Sequence, residues 1–184
     1  MNKDKIIKIA FVGTSSTGKT TLLWEYKKKM SGNRSIVFVH EAARDFFKEN
    51  SHIAERFAKE IQGQVQSAVL AREQEAHSLG ARVIICDRSV IDAVVYVKST
   101  GDKKGAKELL EKVKFWIPTY TKFLLLNPVD VKYEKDEIRQ EDEKTRQAFH
   151  KAFLEFFKET GIPYELLSGS IEQRIKRVDK LIGA

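Results

Sequence analysis

The chain's 184 residues, 42% of them hydrophobic, suffice for one well-buried core and are few for two, so a single domain over 1–184 is expected. Its 33 basic and 26 acidic side chains are spread along the chain and leave a net charge of +7, without the lysine-arginine block that marks a nucleic-acid arm. No apolar run approaches the about 18 residues of a membrane span, the start lacks a signal peptide's apolar stretch, and the single cysteine, Cys86, excludes an internal disulfide. A soluble, cytoplasmic protein with Cys86 as a small core residue is expected.

In chain order, the apolar run Ile6 to Val12 reads as a first strand and leads directly into Gly13-Thr14-Ser15-Ser16-Thr17-Gly18-Lys19-Thr20. This G-x-x-x-x-G-K-S/T spacing at a strand end is a phosphate cradle. Gly13 and Gly18 allow backbone angles that let successive N–H groups curl around a polyphosphate, and the following helix, Thr20 to Met30, adds partial positive charge. Lys19 reaches the β- and γ-phosphates in such loops, and the hydroxyl of Thr20, with Thr21 beside it, is placed for Mg²⁺ and phosphate. A second strand, Ser35 to His40, ends at Glu41-Ala42-Ala43-Arg44. Ile53, Phe57, Ile61, Val65 and Val69 then recur every four residues, which predicts a long helix.

The third strand, Arg82 to Cys86, ends in Asp87-Arg88-Ser89, and helices are expected at Val90 to Lys98 and Lys104 to Phe115. A fourth strand, Lys122 to Leu126, precedes the stretch Pro128 to Gln147, in which 12 of 20 residues are charged. That stretch cannot supply much core and reads as an exposed, lid-like excursion. A helix over Glu141 to Glu159, a strand over Pro163 to Leu167 and a helix over Ser170 to Leu181 complete the chain. Strands separated by helices imply parallel pairing with helices on both faces, an α/β three-layer sandwich.

Open α/β sheets bind ligands at the carboxyl ends of their strands, so the residues just after each apolar run carry the chemistry. Four apolar residues followed by Asp87 fit the pattern of a Mg²⁺-holding aspartate. Arg88 can bridge substrate and phosphate oxygens with its planar fork, or pair with Asp92 one helical turn on. Glu41 is the better placed carboxylate to orient an acceptor hydroxyl, its alternative role being to favour a helix start. Arg44 shares its helical face, as a substrate contact or a structural partner. In the charged excursion Arg139 and Arg146 are the candidates for closing on the transferring phosphoryl group, with Lys132, Lys135 and Lys144 less specific. His40, His52, His77 and His150 show no metal-ligand spacing, and Phe149, Phe153, Phe156 and Phe157 read as amphipathic packing.

Taken together, Gly13 to Thr20, Glu41-x-x-Arg44, Asp87-Arg88, the run Tyr133 to Arg139, Arg146-Gln147-x-Phe149 and Pro163-Tyr164-Glu165 make the chain resemble the small P-loop kinases. More narrowly, it resembles the AAA-type ATPase/kinase family that includes the ribosylnicotinamide (nicotinamide riboside) kinase domain of NAD-biosynthesis proteins. The resemblance implies a P-loop sandwich with a five-stranded parallel sheet in which the first strand lies beside the Asp87 strand. It implies ATP and Mg²⁺ as cofactors, and γ-phosphoryl transfer to a hydroxyl of a small nucleoside-like acceptor. By matching position it implies phosphate and metal roles for Lys19 and Thr20, a metal or acid role for Asp87, substrate contact for Glu41 and a lid role for Arg139. Asp87-Arg88-Ser89 is closer to the Asp/Glu-Arg-Ser element of deoxynucleoside kinases, and no H-x-G-H nucleotidyltransferase element is present.

Two other classes compete. A GTPase switch would use Asn127-Pro128-Val129-Asp130 and Asp102-Lys103-Lys104-Gly105, but Pro128 stands where guanine recognition needs lysine, and Asp102 lies away from any strand end. An ATPase acting with a nucleic-acid or protein partner fits the basic charge, but lacks a clear exposed face of interleaved aromatics and arginines.

Overall fold

The computed structural model describes residues 6–131 and 142–183. Five parallel strands, β1 (Ile7–Val12), β2 (Ile36–Val39), β3 (Val83–Asp87), β4 (Lys122–Leu126) and β5 (Tyr164–Leu167), form one sheet in the order β2-β3-β1-β4-β5. β1 is central, with Ile9 opposite Ile85 on one side and Lys122 on the other. The first strand therefore does lie beside the Asp87 strand.

Because side chains alternate across a strand, β1 feeds two cores. Ala10 and Val12, with Ile84, Cys86, Phe123 and Leu125, face one layer, which holds α3 (Lys59–Ser78), α4 (Val90–Ser99), α5 (Lys103–Val113) and α6 (Glu143–Thr160). Ile9 and Phe11, with Ile85, Leu124 and Leu126, face the other, against α1 (Lys19–Lys29) and α7 (Ile171–Ile182). The expected three-layer sandwich is present. Cys86 is fully buried and its thiol is pushed well up by burial, then by Glu73, as befits an inert core residue. No helix among the described residues is long and apolar enough to cross a membrane.

One sequence expectation changes. The helix predicted from the spacing Ile53 to Val69 starts later than expected: α2 (Ala42–Glu49) ends at Asn50, ahead of that spacing, and α3 begins only at Lys59. Asn50 stops α2 because its own amide and its side-chain amide both bond Phe46 O, satisfying a helix-end carbonyl locally. Ile53 and Phe57 thus lie in the connection. Phe57 still packs on Tyr96 and Phe149, with ring centroids 5.3 and 5.0 Å away, so its spacing reported burial and not helix.

A fully buried ion pair, Lys8 with Glu73, sits near the amino ends of the strands. Trp116 Nε1 and Tyr120 Oη also donate to Glu73, and Lys8 Nζ lies over the Tyr120 ring at 3.9 Å. Burial pushes the lysine down and the glutamate up, and the dense set of partners keeps the pair satisfied.

Candidate active site

Residues 13–18 leave the end of β1 and return into α1 through positive backbone angles, φ 126° at Gly13, 52° at Ser16 and 84° at Gly18. The φ at Gly13 favours glycine, and a Cβ there would also crowd Leu125 Cδ1 at 3.1 Å. The loop is stitched by Lys19, whose Nζ donates to Thr14 O at 2.5 Å and Thr17 Oγ1 at 3.2 Å. Burial, then the neighbouring Arg88, brings the lysine down to about 7. Thr14 Oγ1 and Ser15 Oγ are buried without a partner among the described residues. Hydroxyls and turned amides of this kind form a cradle for phosphate oxygens. Thr21 follows Thr20 in the first turn of α1.

Thr20 Oγ1 donates to Asp87 Oδ2 at 2.7 Å, joining the loop to the end of β3. Asp87 Oδ1 is buried and takes no hydrogen bond from any described residue. Burial, then repulsion by Glu41, raises the carboxyl to about 6, against the pull of Lys19, Thr20 and Arg88. A hydroxyl beside a carboxylate with one oxygen unmatched fits Mg²⁺, which binds few protein ligands and takes the rest from phosphate and water.

Arg88 organises the other half. Its φ is 75°, a region that costs a non-glycine residue about 1–3 kcal/mol, and its N–H is held by Phe11 O at 2.9 Å. From there Nε donates to Glu41 Oε1 at 2.5 Å, and Nη1 reaches Gly13 O, Asp92 Oδ1 and Tyr96 Oη at 3.2, 3.2 and 2.8 Å. The two readings of Arg88 are therefore compatible, since one fork pairs with Asp92 and also joins Glu41 to the phosphate loop. Asp92 completes a capping box with Ser89 that starts α4.

Glu41 is the residue before α2, yet its side chain makes no cap bond; it turns to Arg88, and its Oε2 lies 3.5 Å from Arg44 Nε. Burial pushes its carboxyl up, but Arg88, then Lys19 and Arg44, outweigh that and bring it to about 2. Glu41 thus stands at the start of α2 without a cap bond, and its carboxylate is engaged in an ion pair. Ser15, Glu41, Arg44 and Arg88 share the wall of a cavity of about 250 Å³ that extends between α2, α3 and α4, with Phe57 and Tyr96 among its apolar lining. The size is that of a small molecule.

Arg146, expected at the nucleotide, is 1% exposed and donates to Pro128 O, to Val131 O and to Glu143 Oε2. It ties the start of α6 to the segment after β4. Arg139, Lys132 and Lys135 lie outside the described residues. The sequence reading missed Arg174, 2% exposed, which donates to Thr17 O at 2.7 Å, Gly169 O at 3.1 Å and Asp130 Oδ2 at 3.2 Å. It buttresses the phosphate loop from α7, and nothing local to residue 174 signals this. Residues of the two GTPase-like stretches are used structurally: Asn127 accepts from Val129 N and Asp102 caps α5.

A family model described as an AAA domain matches residues 8–174. Among solved structures, the chain is similar to a NadR protein in complex with NAD and AMP-PNP, at 18% identity and a TM-score of 0.76, over 97% of this chain and 50% of that one. The chain thus spans about half the length of that protein. It is similar to the deoxyadenosine kinase of M. mycoides, at 17% identity and a TM-score of 0.68, over 97% of this chain and 100% of that one. It is also similar to the thymidylate kinase of Candida albicans, at 14% identity and a TM-score of 0.67, over 97% and 92%. No curated protein sequence matched.

Proposed function

The chain belongs to the AAA domain family, and on that premise we propose that it moves the γ-phosphoryl group of ATP to a hydroxyl of a small nucleoside-like acceptor. One observation carries this reading: the cavity is continuous with the phosphate loop, since Ser15, Glu41 and Arg88 line it while Arg88 also holds Gly13 O. Phosphate and acceptor sites thus share a wall.

In the proposed reaction the loop amides of 13–20 bind the phosphates, and Lys19 exchanges Thr14 O for β- and γ-oxygens. Thr20 and Asp87 would hold Mg²⁺, which when bound neutralises charge shared between those oxygens. Glu41 Oε1 is held by Arg88, which leaves Oε2 to accept the acceptor hydroxyl's hydrogen bond. The hydroxyl oxygen bonds to the γ-phosphorus as the bond to the bridging oxygen of ADP breaks, and the proton passes to Glu41. With its carboxyl held at about 2, Glu41 is a weak base, which suits a loose transition state in which the proton leaves late. Arg139 is the proposed lid cation.

Nicotinamide riboside is the first acceptor proposed, because of the similarity to the NadR protein; deoxynucleosides are the second, because of Asp87-Arg88-Ser89 and the similarity to deoxyadenosine kinase. A coupled ADP-release screen over nicotinamide riboside, nucleosides, deoxynucleosides and nucleoside monophosphates tests both. ADP release that depends on one of these acceptors and is lost in Lys19→Ala is expected. Release indifferent to every acceptor would instead point to an ATPase serving a macromolecular partner.

A further inference from the structure

The acceptor cavity contains two glutamines that the proposed chemistry does not use. Gln62 and Gln66 sit one turn apart on α3, each 3% exposed, and both line the cavity. Gln62 Nε2 donates to Arg56 O at 2.7 Å, and Gln66 Nε2 donates to Val90 O at 2.9 Å. A carbonyl oxygen accepts only from an N–H, so these bonds fix which end of each carboxamide is nitrogen. The nitrogen ends are spent on backbone. The Oε1 ends take no hydrogen bond from any described residue.

Around these oxygens the wall is apolar and aromatic: Val65 and Val69 on the same helix, and Phe57 with Tyr96, whose ring centroids are 5.3 Å apart. Both oxygens keep contact with the open space of the cavity, so a ligand that displaces water from them without donating in its place leaves an unmatched acceptor. A planar heterocycle presenting an exocyclic NH₂ would donate to them, with its sugar directed toward Glu41 and Arg88.

We propose that Gln62 and Gln66 are specificity-determining residues that select acceptors whose base carries an exocyclic amino or carboxamide NH₂, over analogues in which oxygen or methyl replaces that group. The proposal rests on the kinase reading of the site. An oxo group would set lone pair against lone pair at Oε1. Turning a carboxamide over to meet it would break its bond to Arg56 O or Val90 O. Arg44 and Arg56 also line the cavity and would favour a less positive base, so the comparison belongs to pairs of equal charge.

The test measures kcat/KM for cytidine against uridine, adenosine against inosine, their 2′-deoxy counterparts, and nicotinamide riboside against 3-acetylpyridine riboside. In whichever pair is turned over, the NH₂ member should be favoured by about tenfold or more, the scale set by one unmatched buried polar group. Gln62→Met and Gln66→Met, close in shape to glutamine, should bring the ratio towards one, chiefly by raising KM for the NH₂ member. Equal kcat/KM within the wild-type pair overturns the inference whether or not the variants fold, and leaves the kinase reading standing. An unchanged ratio in both folded variants also overturns it. Absence of turnover with every acceptor, while ATP still binds, overturns the kinase reading and this inference with it.

Discussion

Glu41→Gln keeps the shape of the side chain and removes its charge. The carboxamide oxygen can still accept from Arg88 Nε, so what is lost is attraction between two side chains that are 10% and 11% exposed. In the folded chain the Glu41 carboxyl is lowered from 4.5 to about 2, burial being outweighed by Arg88, Lys19 and Arg44. A depressed acid contributes stability that is fully present above its unfolded value and lost as pH falls through the folded one. A shift of this size corresponds to about 3 kcal/mol. Relief at Asp87, whose carboxyl Glu41 helps to raise, returns part of it, so a net loss of about 1–2 kcal/mol near neutral pH is expected. Urea unfolding of both proteins should show that gap near neutrality and should show it closing as pH falls from about 4.5 towards 2. Turnover at saturating ATP should fall by about 10²–10⁴-fold while KM for ATP barely moves. Turnover close to wild type would make Glu41 a structural partner of Arg88 only, and a stability gap that ignores pH would refute the electrostatic reasoning itself.

Tyr96→Phe deletes the 2.8 Å bond to Arg88 Nη1 and should lower kcat several-fold through misplacement of the arginine, and Arg88→Lys, which cannot fork, should lower it further. Arg174→Ala should raise KM for ATP more than it lowers kcat, because the Thr17 carbonyl loses its support on the side of the loop away from the acceptor; steady-state kinetics separate the two. Glu73→Gln leaves Lys8 buried beside a neutral partner and should cost about 3–5 kcal/mol in urea unfolding, with kcat per folded molecule unchanged, since the pair lies at the opposite end of the strands. Chelation of divalent ions should abolish turnover and leave the unfolding midpoint without nucleotide in place, because Thr20 and Asp87 bond each other directly.

The parts of the site that were legible in the sequence are those in which local chain geometry does the work. Gly13 to Thr20 announces itself because its glycines, lysine and hydroxyl follow a strand at fixed spacing, and Asp87 is marked by the four apolar residues before it. The five parallel strands, with the first beside the Asp87 strand, followed from the resemblance and are present in the sheet. What was hidden depends on residues that meet only after folding. Arg174 lies 157 residues from the carbonyl it holds, and Tyr96 reads as one more apolar position on a buried helix until Arg88 reaches it. Gln62 and Gln66 did carry a signal, as polar residues sharing the helix with Val65 and Val69, and a search for polar residues inside an apolar stripe would have found them. Ile53 and Phe57 show the converse. Their spacing matched a helix, but Ile53 is held by a local bond from its amide to Asn50 O, and Phe57 is placed by packing on Tyr96 and Phe149.

The central claim is that phosphate loop and acceptor cavity serve one transfer. Incubating the chain with γ-labelled ATP, Mg²⁺ and the acceptor panel, then separating the products, tests it most directly. The account predicts label in a phosphorylated acceptor, in equal amount to ADP formed, and none in Lys19→Ala. Label found in inorganic phosphate alone, at a rate no acceptor alters, would contradict it.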